Sequence, residues 1–212
     1  MRRVVVRRAV PAAFRRDPDL VWGWYRWRAA QVAGVAPHAG HRAIAELERA
    51  GLHVDVVTQN VDDLHERAGS TRVRHLHGHL LRSRCIDCAA RQVPDPILAA
   101  YAPGDEGRRE PPPRCDACGG AFRPDVVWFG EALPDEAWNA GVEALHRAER
   151  VVVVGTSGLV QPAASLPRLA RELGRPVLEI NPVPSGVTAD VDTHWPMPAS
   201  TGLVRLRDEL LG

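Results

Sequence analysis

Four cysteines, the only ones in 212 residues, fall as Cys85-x2-Cys88 and Cys115-x2-Cys118 with 26 residues between the pairs. Each CxxC turn can aim two thiolates at one point, and two such turns complete a tetrahedral shell. The set uses every cysteine and leaves no open coordination position. A bound Zn2+ would therefore hold structure rather than do chemistry. The rival readings are a redox dithiol and unlinked cysteines, and two pairs with matched internal spacing favour the metal. Residues 83–124 also carry Pro111-Pro112-Pro113, Gly119-Gly120 and few large apolar side chains. Such a stretch buries little core, so a metal is the available source of its stability.

On either side the chain alternates helix and strand signals. Phe14 to Ala30 reads as helical, with Asp17-Pro18 as cap and first position and with Trp22, Tyr25 and Trp27 crowding it. A second helix runs from about Ala39 to Arg49 and stops at Gly51. Val54 to Thr58 reads as a strand ending at Gln59-Asn60. Val151 to Val154 is a continuous apolar run, as expected for a strand buried on both faces of a parallel sheet. It ends at Gly155-Thr156-Ser157-Gly158. Pro162 opens a helix that closes near Gly174, and Val177 to Ile180 forms the next strand, ending at Asn181. Thr201 or Ser200 would cap a last helix with Leu203, Leu206 and Leu210 inward. The layout predicts an α/β fold: a Rossmann-like, doubly wound parallel sheet over 1–82 and 125–212, with a small zinc-binding lobe inserted at 83–124.

In such sheets ligands sit beyond the carboxyl ends of the strands. Three strand ends here carry small or amide-bearing residues: Thr58-Gln59-Asn60, Gly155-Thr156-Ser157 and Asn181. Glycine and serine let a phosphate approach backbone N–H groups, while Asn and Gln suit ribose hydroxyls and a carboxamide. Together they make a case for a nucleotide. The formal charge of +1, with all 27 basic side chains arginine, gives no footprint for nucleic acid or an anionic membrane. No apolar run approaches the ~20 residues of a membrane span. The basic start, Met1 to Arg8, has too short an apolar stretch for a signal peptide. Reduced cysteines without an export signal lead to the expectation of a cytoplasmic protein.

Six ordered motifs then carry a family resemblance. Gln59-Asn60-Val61-Asp62-x-Leu64-His65, His77-Gly78, the two CxxC pairs, Val126-Val127-Trp128-Phe129-Gly130-Glu131, Gly155-Thr156-Ser157 and Glu179-Ile180-Asn181 resemble a sirtuin from about residue 10 onward. The resemblance implies an NAD-dependent protein-lysine deacylase that releases nicotinamide and leaves the acyl group on ADP-ribose. It makes His77 the general base, a task that suits an imidazole titrating near neutral pH. It puts Gln59, Asn60, Val61 and Asp62 around the nicotinamide ribose and carboxamide. Gly155, Thr156 and Ser157 would meet the adenosine half, Asn181 its ribose, and Ala199 would also face the cofactor. Val126, Val127, Phe129, Gly130 and Glu131 would pair with the substrate backbone and line the lysine tunnel. The partners implied are acylated lysine peptides.

Tyr25 and Arg28 stand one helical turn apart, so both can face one cavity. Tyr-x-x-Arg resembles the pair by which one sirtuin branch reads malonyl-, succinyl- or glutaryl-lysine. A guanidinium can grip the distal carboxylate with two bonds, and a phenol adds a third. The bland alternative puts Tyr25 in the aromatic core with Trp22 and leaves Arg28 solvated. Taken singly, His77 would be a structural histidine, and His75, His77 and His79 could share a strand face as metal ligands. One departure is large. Sirtuins open with a strand and a Gly-Ala-Gly loop that cradles the cofactor phosphates, and neither occurs in this sequence. That strand would be central, so its loss is expected to leave unpaired neighbours. Val4-Val5-Val6 is the candidate to fill its place. The alternative function is a catalytically inactive remnant, a zinc-stabilised acyl-peptide-binding module.

Overall fold

The computed structural model describes residues 8–92 and 108–212. Val4-Val5-Val6 lies outside them. In chain order the helices are α1 (Pro11–Arg16), α2 (Pro18–Ala33), α3 (Ala39–Arg49), α4 (Leu64–Ala68), α5 (Asp135–Arg147), α6 (Leu166–Glu172) and α7 (Ala199–Leu211). The strands are β1 (Val56–Thr58), β2 (Val73–His75), β3 (Gly78–Cys85), β4 (Arg91–Gln92), β5 (Phe122–Val126), β6 (Val151–Val154), β7 (Val177–Ile180) and β8 (Thr193–Trp195). They form two compact units. The first comprises Met1–Val35, Asn60–Asp63 and His77–Pro134, the second Ala36–Gln59, Leu64–Leu76 and Asp135–Gly212.

In the first unit α2 starts as the sequence predicts. Asp17 accepts the Leu20 N–H at 3.2 Å and Pro18 takes a position that needs no donor. Two bonds from Arg109, at 2.7 and 2.8 Å, hold the Asp17 carboxyl below the usual carboxylate range. Helix α2 buries Val21, Trp24, Tyr25 and Ala29 against Phe14, Leu80, Val126 and Trp128. Beneath it lies an antiparallel sheet in the order β4-β3-β5, with Gly78 opposite Val126 and Cys85 opposite Phe122. Gly78 has φ +77°, and a Cβ there would come within 2.1 Å of the Asp125 carbonyl oxygen. Only glycine allows that contact.

The second unit is parallel α/β. Strands β6, β7 and β8 form one parallel sheet and β1 with β2 a separate one. Helices α3 and α7 pack on each other, and Ala43, Leu178, Ile180, Leu203 and Leu206 make the core there. Leu145, Ala170 and Val177 make a second core where α5 and α6 meet the sheet.

Several expectations need correction. Strand β1 begins at Val56 rather than Val54. The valine run of β6 is half-buried at all four positions, whereas β7 is buried throughout. β6 is an edge strand of its sheet and β7 a central one, which accounts for the difference. Pro162 opens a short 3-10 turn, Ala163–Ser165, before α6 begins. Neither Ser200 nor Thr201 caps α7: the helix follows Pro198, and the Thr201 hydroxyl donates back to the Pro198 carbonyl at 3.0 Å. Leu210 is 42 % exposed because the last turn of α7 has passed beyond the sheet's apolar face. Among the described residues no helix is long and apolar enough to cross a membrane.

Candidate functional site

The cysteines sit in two copies of one turn. The Cys85 N–H donates to Ala90 O and the Cys115 N–H to Gly120 O, both at 2.8 Å. The residue just before each acceptor is left-handed: Ala89 at φ 58° and Gly119 at φ 74°. The two turns bring all four sulfurs within 4.8 Å of one another, with Cys85 to Cys118 at 3.4 Å and Cys88 to Cys115 at 3.7 Å. A tetrahedron with Zn–S bonds of about 2.3 Å has edges of about 3.8 Å. Cys85 and Cys115 face inward against Trp22 and Phe122, and Cys88 and Cys118 face solvent. The crowded sulfurs ease the ionisation of Cys85 and oppose that of Cys88 and Cys118. The Cys88 N–H draws the Cys85 thiol down to about 7, whereas Cys118, despite the Gly120 N–H, is pushed up to about 12 by the sulfurs of Cys85 and Cys88. A central dication would remove that opposition, so both distances and donor chemistry fit zinc.

The rest of the first unit gathers its predicted residues around β3. His77 lies in the turn before β3, and its carbonyl accepts the Val127 N–H at 2.8 Å. Gly78 interrupts the histidine alternation, since His75 ends β2 and His79 belongs to β3. The carbonyl of Val61 accepts the Leu80 N–H at 2.7 Å, which lays Asn60 to Asp62 along the same strand. In the strip from Val126 to Glu131, Val126 and Trp128 are buried while Phe129 is 51 % exposed.

Arg123 braces that strip. Its guanidinium donates to both Glu131 oxygens at 2.5 and 2.9 Å and to Val126 O at 2.9 Å, and lies 3.3 Å over the Trp128 ring. Burial pushes the Glu131 carboxyl up, but the Arg123 bonds and the Trp128 N–H outweigh it and hold the group below the usual range. Tyr25 is buried, and its hydroxyl accepts the Trp128 indole N–H at 3.0 Å. That burial raises the phenol to about 12, so it keeps its own proton to donate. The Arg28 guanidinium lies 5.1 Å from the Trp24 ring centroid and its charge bears on Tyr25. Tyr25 thus packs in the aromatic core, and among the described residues its O–H donates to none.

The second unit holds the other predicted group at its strand ends. The Gln59 amide donates to the Thr156 hydroxyl at 3.3 Å, and the Asn181 amide to the Thr156 carbonyl at 2.8 Å. Gly155 has φ +58° with nothing within 4 Å of the place a Cβ would take. Its backbone is open to a bulky polar ligand, as a nucleotide cradle requires. Ala199 is the first residue of α7, which packs on β7. Sequence reasoning gave no role to Arg123 or Glu179. The signal for Glu179 was present, a lone carboxylate inside the apolar run Val177-Leu178-Glu179-Ile180.

Parallel α/β layering with polar strand ends and a tetrathiolate zinc centre define a Rossmann-like protein of the zinc-bearing kind. The sequence model of the Sir2 family matches residues 5–162, and the chain belongs to that family. It is 48 % identical to NAD-dependent protein deacylase 2 of Pyrobaculum aerophilum over 95 % of this chain and 77 % of that protein. It is 54 % identical to NAD-dependent protein deacylase 1 of Pseudomonas aeruginosa over 83 % of this chain and 70 % of that one. A crystal structure of a Sir2 homologue in complex with NAD superposes with a TM-score of 0.85 at 41 % identity, covering 98 % of this chain and 78 % of the other. A Sir2 protein bound to an acetylated peptide gives 0.73 at 30 % identity, covering 84 % and 73 %.

Proposed function

We propose that this protein removes acyl groups from protein lysine with NAD as co-substrate. The observation that carries this reading is the bond between the His77 carbonyl and the Val127 N–H, which makes the base and the substrate strip neighbours on one sheet. NAD, when bound, supplies the ribose carbon that gives up nicotinamide and receives the acyl oxygen. His77 takes the proton of a ribose hydroxyl, with Asn60, Val61 and Asp62 beside it along β3. Val126, Val127, Gly130 and Glu131 offer backbone to the peptide, and exposed Phe129 offers a wall to the lysine stem. In the second unit Gln59, Gly155, Thr156, Ser157, Asn181 and Ala199 bind the cofactor. The zinc at Cys85, Cys88, Cys115 and Cys118 is structural.

Tyr25 and Arg28 select acyl groups that end in a carboxylate, malonyl and succinyl ahead of acetyl. The free phenol proton supports this, because a buried donor favours an acid that can accept it. The chain's division by residues 83–124 into a Rossmann-like part and a zinc lobe, and a cytoplasmic location, belong to the same reading. Its test is mass spectrometry of succinyl-, malonyl- and acetyl-lysine peptides with NAD, reading deacylation and nicotinamide together. His77→Ala should abolish turnover with zinc content and melting unchanged. Arg28→Met should remove most of the acid preference, about tenfold in kcat/KM. If no peptide loses its acyl group in step with nicotinamide release, the function is wrong.

A further inference from the structure

Glu179 has 0 % exposure in the most buried strand of the second unit, between Leu178 and Ile180. A buried carboxylate is costly, and a well-packed apolar side chain would serve stability as well or better. Among the described residues no arginine or lysine pairs with it. Its compensation is three neutral donors: the hydroxyls of Ser185 and Thr188, both at 2.5 Å, and the Asn181 amide at 3.4 Å. Burial pushes its carboxyl up, but these donors outweigh burial and keep it ionised.

Each donor is tied onward. Ser185 Oγ accepts the Val187 N–H at 3.3 Å and Thr188 Oγ1 the Ser185 N–H at 2.7 Å. The Gly186 N–H donates to the Ser157 carbonyl at 2.9 Å. The Asn181 side-chain NH2 faces two acceptors, Glu179 and the Thr156 carbonyl. With both amide protons taken, its oxygen is left as the group it can present to a ligand. An asparagine amide can turn over, and the Thr156 carbonyl and the carboxylate at 179 together oppose the turned form, because its oxygen would then face both of theirs.

We propose that Glu179 is a positioning residue that fixes the polarity of the Asn181 amide, so that Asn181 offers an acceptor to a hydroxyl of the cofactor's adenosine-side ribose. The inference rests on the NAD reading above, in which Asn181 meets that ribose. Glutamine at 179 has the same shape but puts an NH2 where an acceptor stood, which permits or inverts the Asn181 orientation. The residue acts through Asn181 and touches no reacting atom.

The test is isothermal titration of ADP-ribose, and of the analogue lacking both adenosine-ribose hydroxyls, into the unmutated protein and Glu179→Gln. The unmutated protein should prefer ADP-ribose about tenfold, the scale of one buried hydrogen bond to a fixed partner. Glu179→Gln should bind ADP-ribose about tenfold more weakly and lose the hydroxyl preference, with binding of the analogue unchanged. A general packing defect would weaken both ligands together. The same hydroxyl preference in both proteins overturns the role of Glu179, and so does equal binding of the two ligands by the unmutated protein. No ADP-ribose binding by the unmutated protein overturns the cofactor reading itself. Should Glu179→Gln not fold, Glu179→Met removes the acceptor at that position without adding a donor. Full hydroxyl preference in that variant also overturns the proposal.

Discussion

The two units solve the same problem, holding a polar site rigid, by different means. The second does it conventionally, with parallel strands under helices, an aliphatic core and a site made of strand ends. The first has a short antiparallel sheet, eight buried aromatic or sulfur-bearing side chains in its cores, and two further devices: four thiolates around a metal and the buried arginine Arg123. Where sequence-local apolar burial is scarce, as between residues 83 and 124, directional bonds replace it. Such bonds fail abruptly when one partner is lost, whereas aliphatic packing weakens by degrees.

The largest break in this comparison should come from the metal. Cys115→Ser, or strong chelator, is expected to remove a contribution of about 10 kcal/mol from the thiolate lobe. Amide exchange should rise first across His77–Pro134 while β6, β7 and β8 keep their protection. Equal loss in both units would refute the division. Next comes the arginine brace: Trp128→Ala removes a buried indole that touches Arg123 and Tyr25, at about 3–5 kcal/mol by chemical denaturation. Ile180→Val, an equally buried site in the aliphatic unit, should cost only about 1 kcal/mol.

Gly78→Ala should cost about 2–3 kcal/mol, since it combines a left-handed backbone with a contact that pushes β3 from β5. Acid provides the next contrast. Glu131 and Glu179 are both held below the ordinary glutamate value, so each adds stability that is present at neutral pH and lost as pH falls below about 4.3. Glu131→Gln should flatten the acid limb for the first unit and Glu179→Gln for the second, as read by residue-resolved exchange. The smallest effect is expected at Ala89. Its turn matches the one that uses Gly119, and Ala89→Gly should relieve left-handed strain by up to about 1 kcal/mol in thermal melts.

Much of this was legible beforehand because it rests on local rules. Asp17-Pro18 announced a helix start, CxxC announced a metal turn, and the valine and leucine runs announced strands. What escaped depends on partners distant in sequence. Nothing local says that β6 will be an edge and β7 the centre, so the apolar run Val151–Val154 reads as fully buried although it is half-buried. Arg123 reads as one arginine among 27 until Trp128 and Glu131 fold over it. Thr201 had the chemistry of a cap, yet Pro198 already set the start of α7 and turned the hydroxyl backward. The resemblance supplied His77, Asn60 and Asp62, which no periodicity would have singled out.

The interleaving of the units has a consequence for synthesis. The last segment of the first unit ends at Pro134, whereas the second needs residues up to Gly212. All four cysteines precede Pro134, and the 78 residues from 135 to 212, 212 less 134, are made after it. At about 5–20 residues per second that leaves roughly 4–16 s, long compared with the closing of a small sheet. The metal lobe can therefore be loaded on the ribosome while α7 does not yet exist, and β6, with its four valines, waits until Val177–Ile180 are made before it can pair with β7.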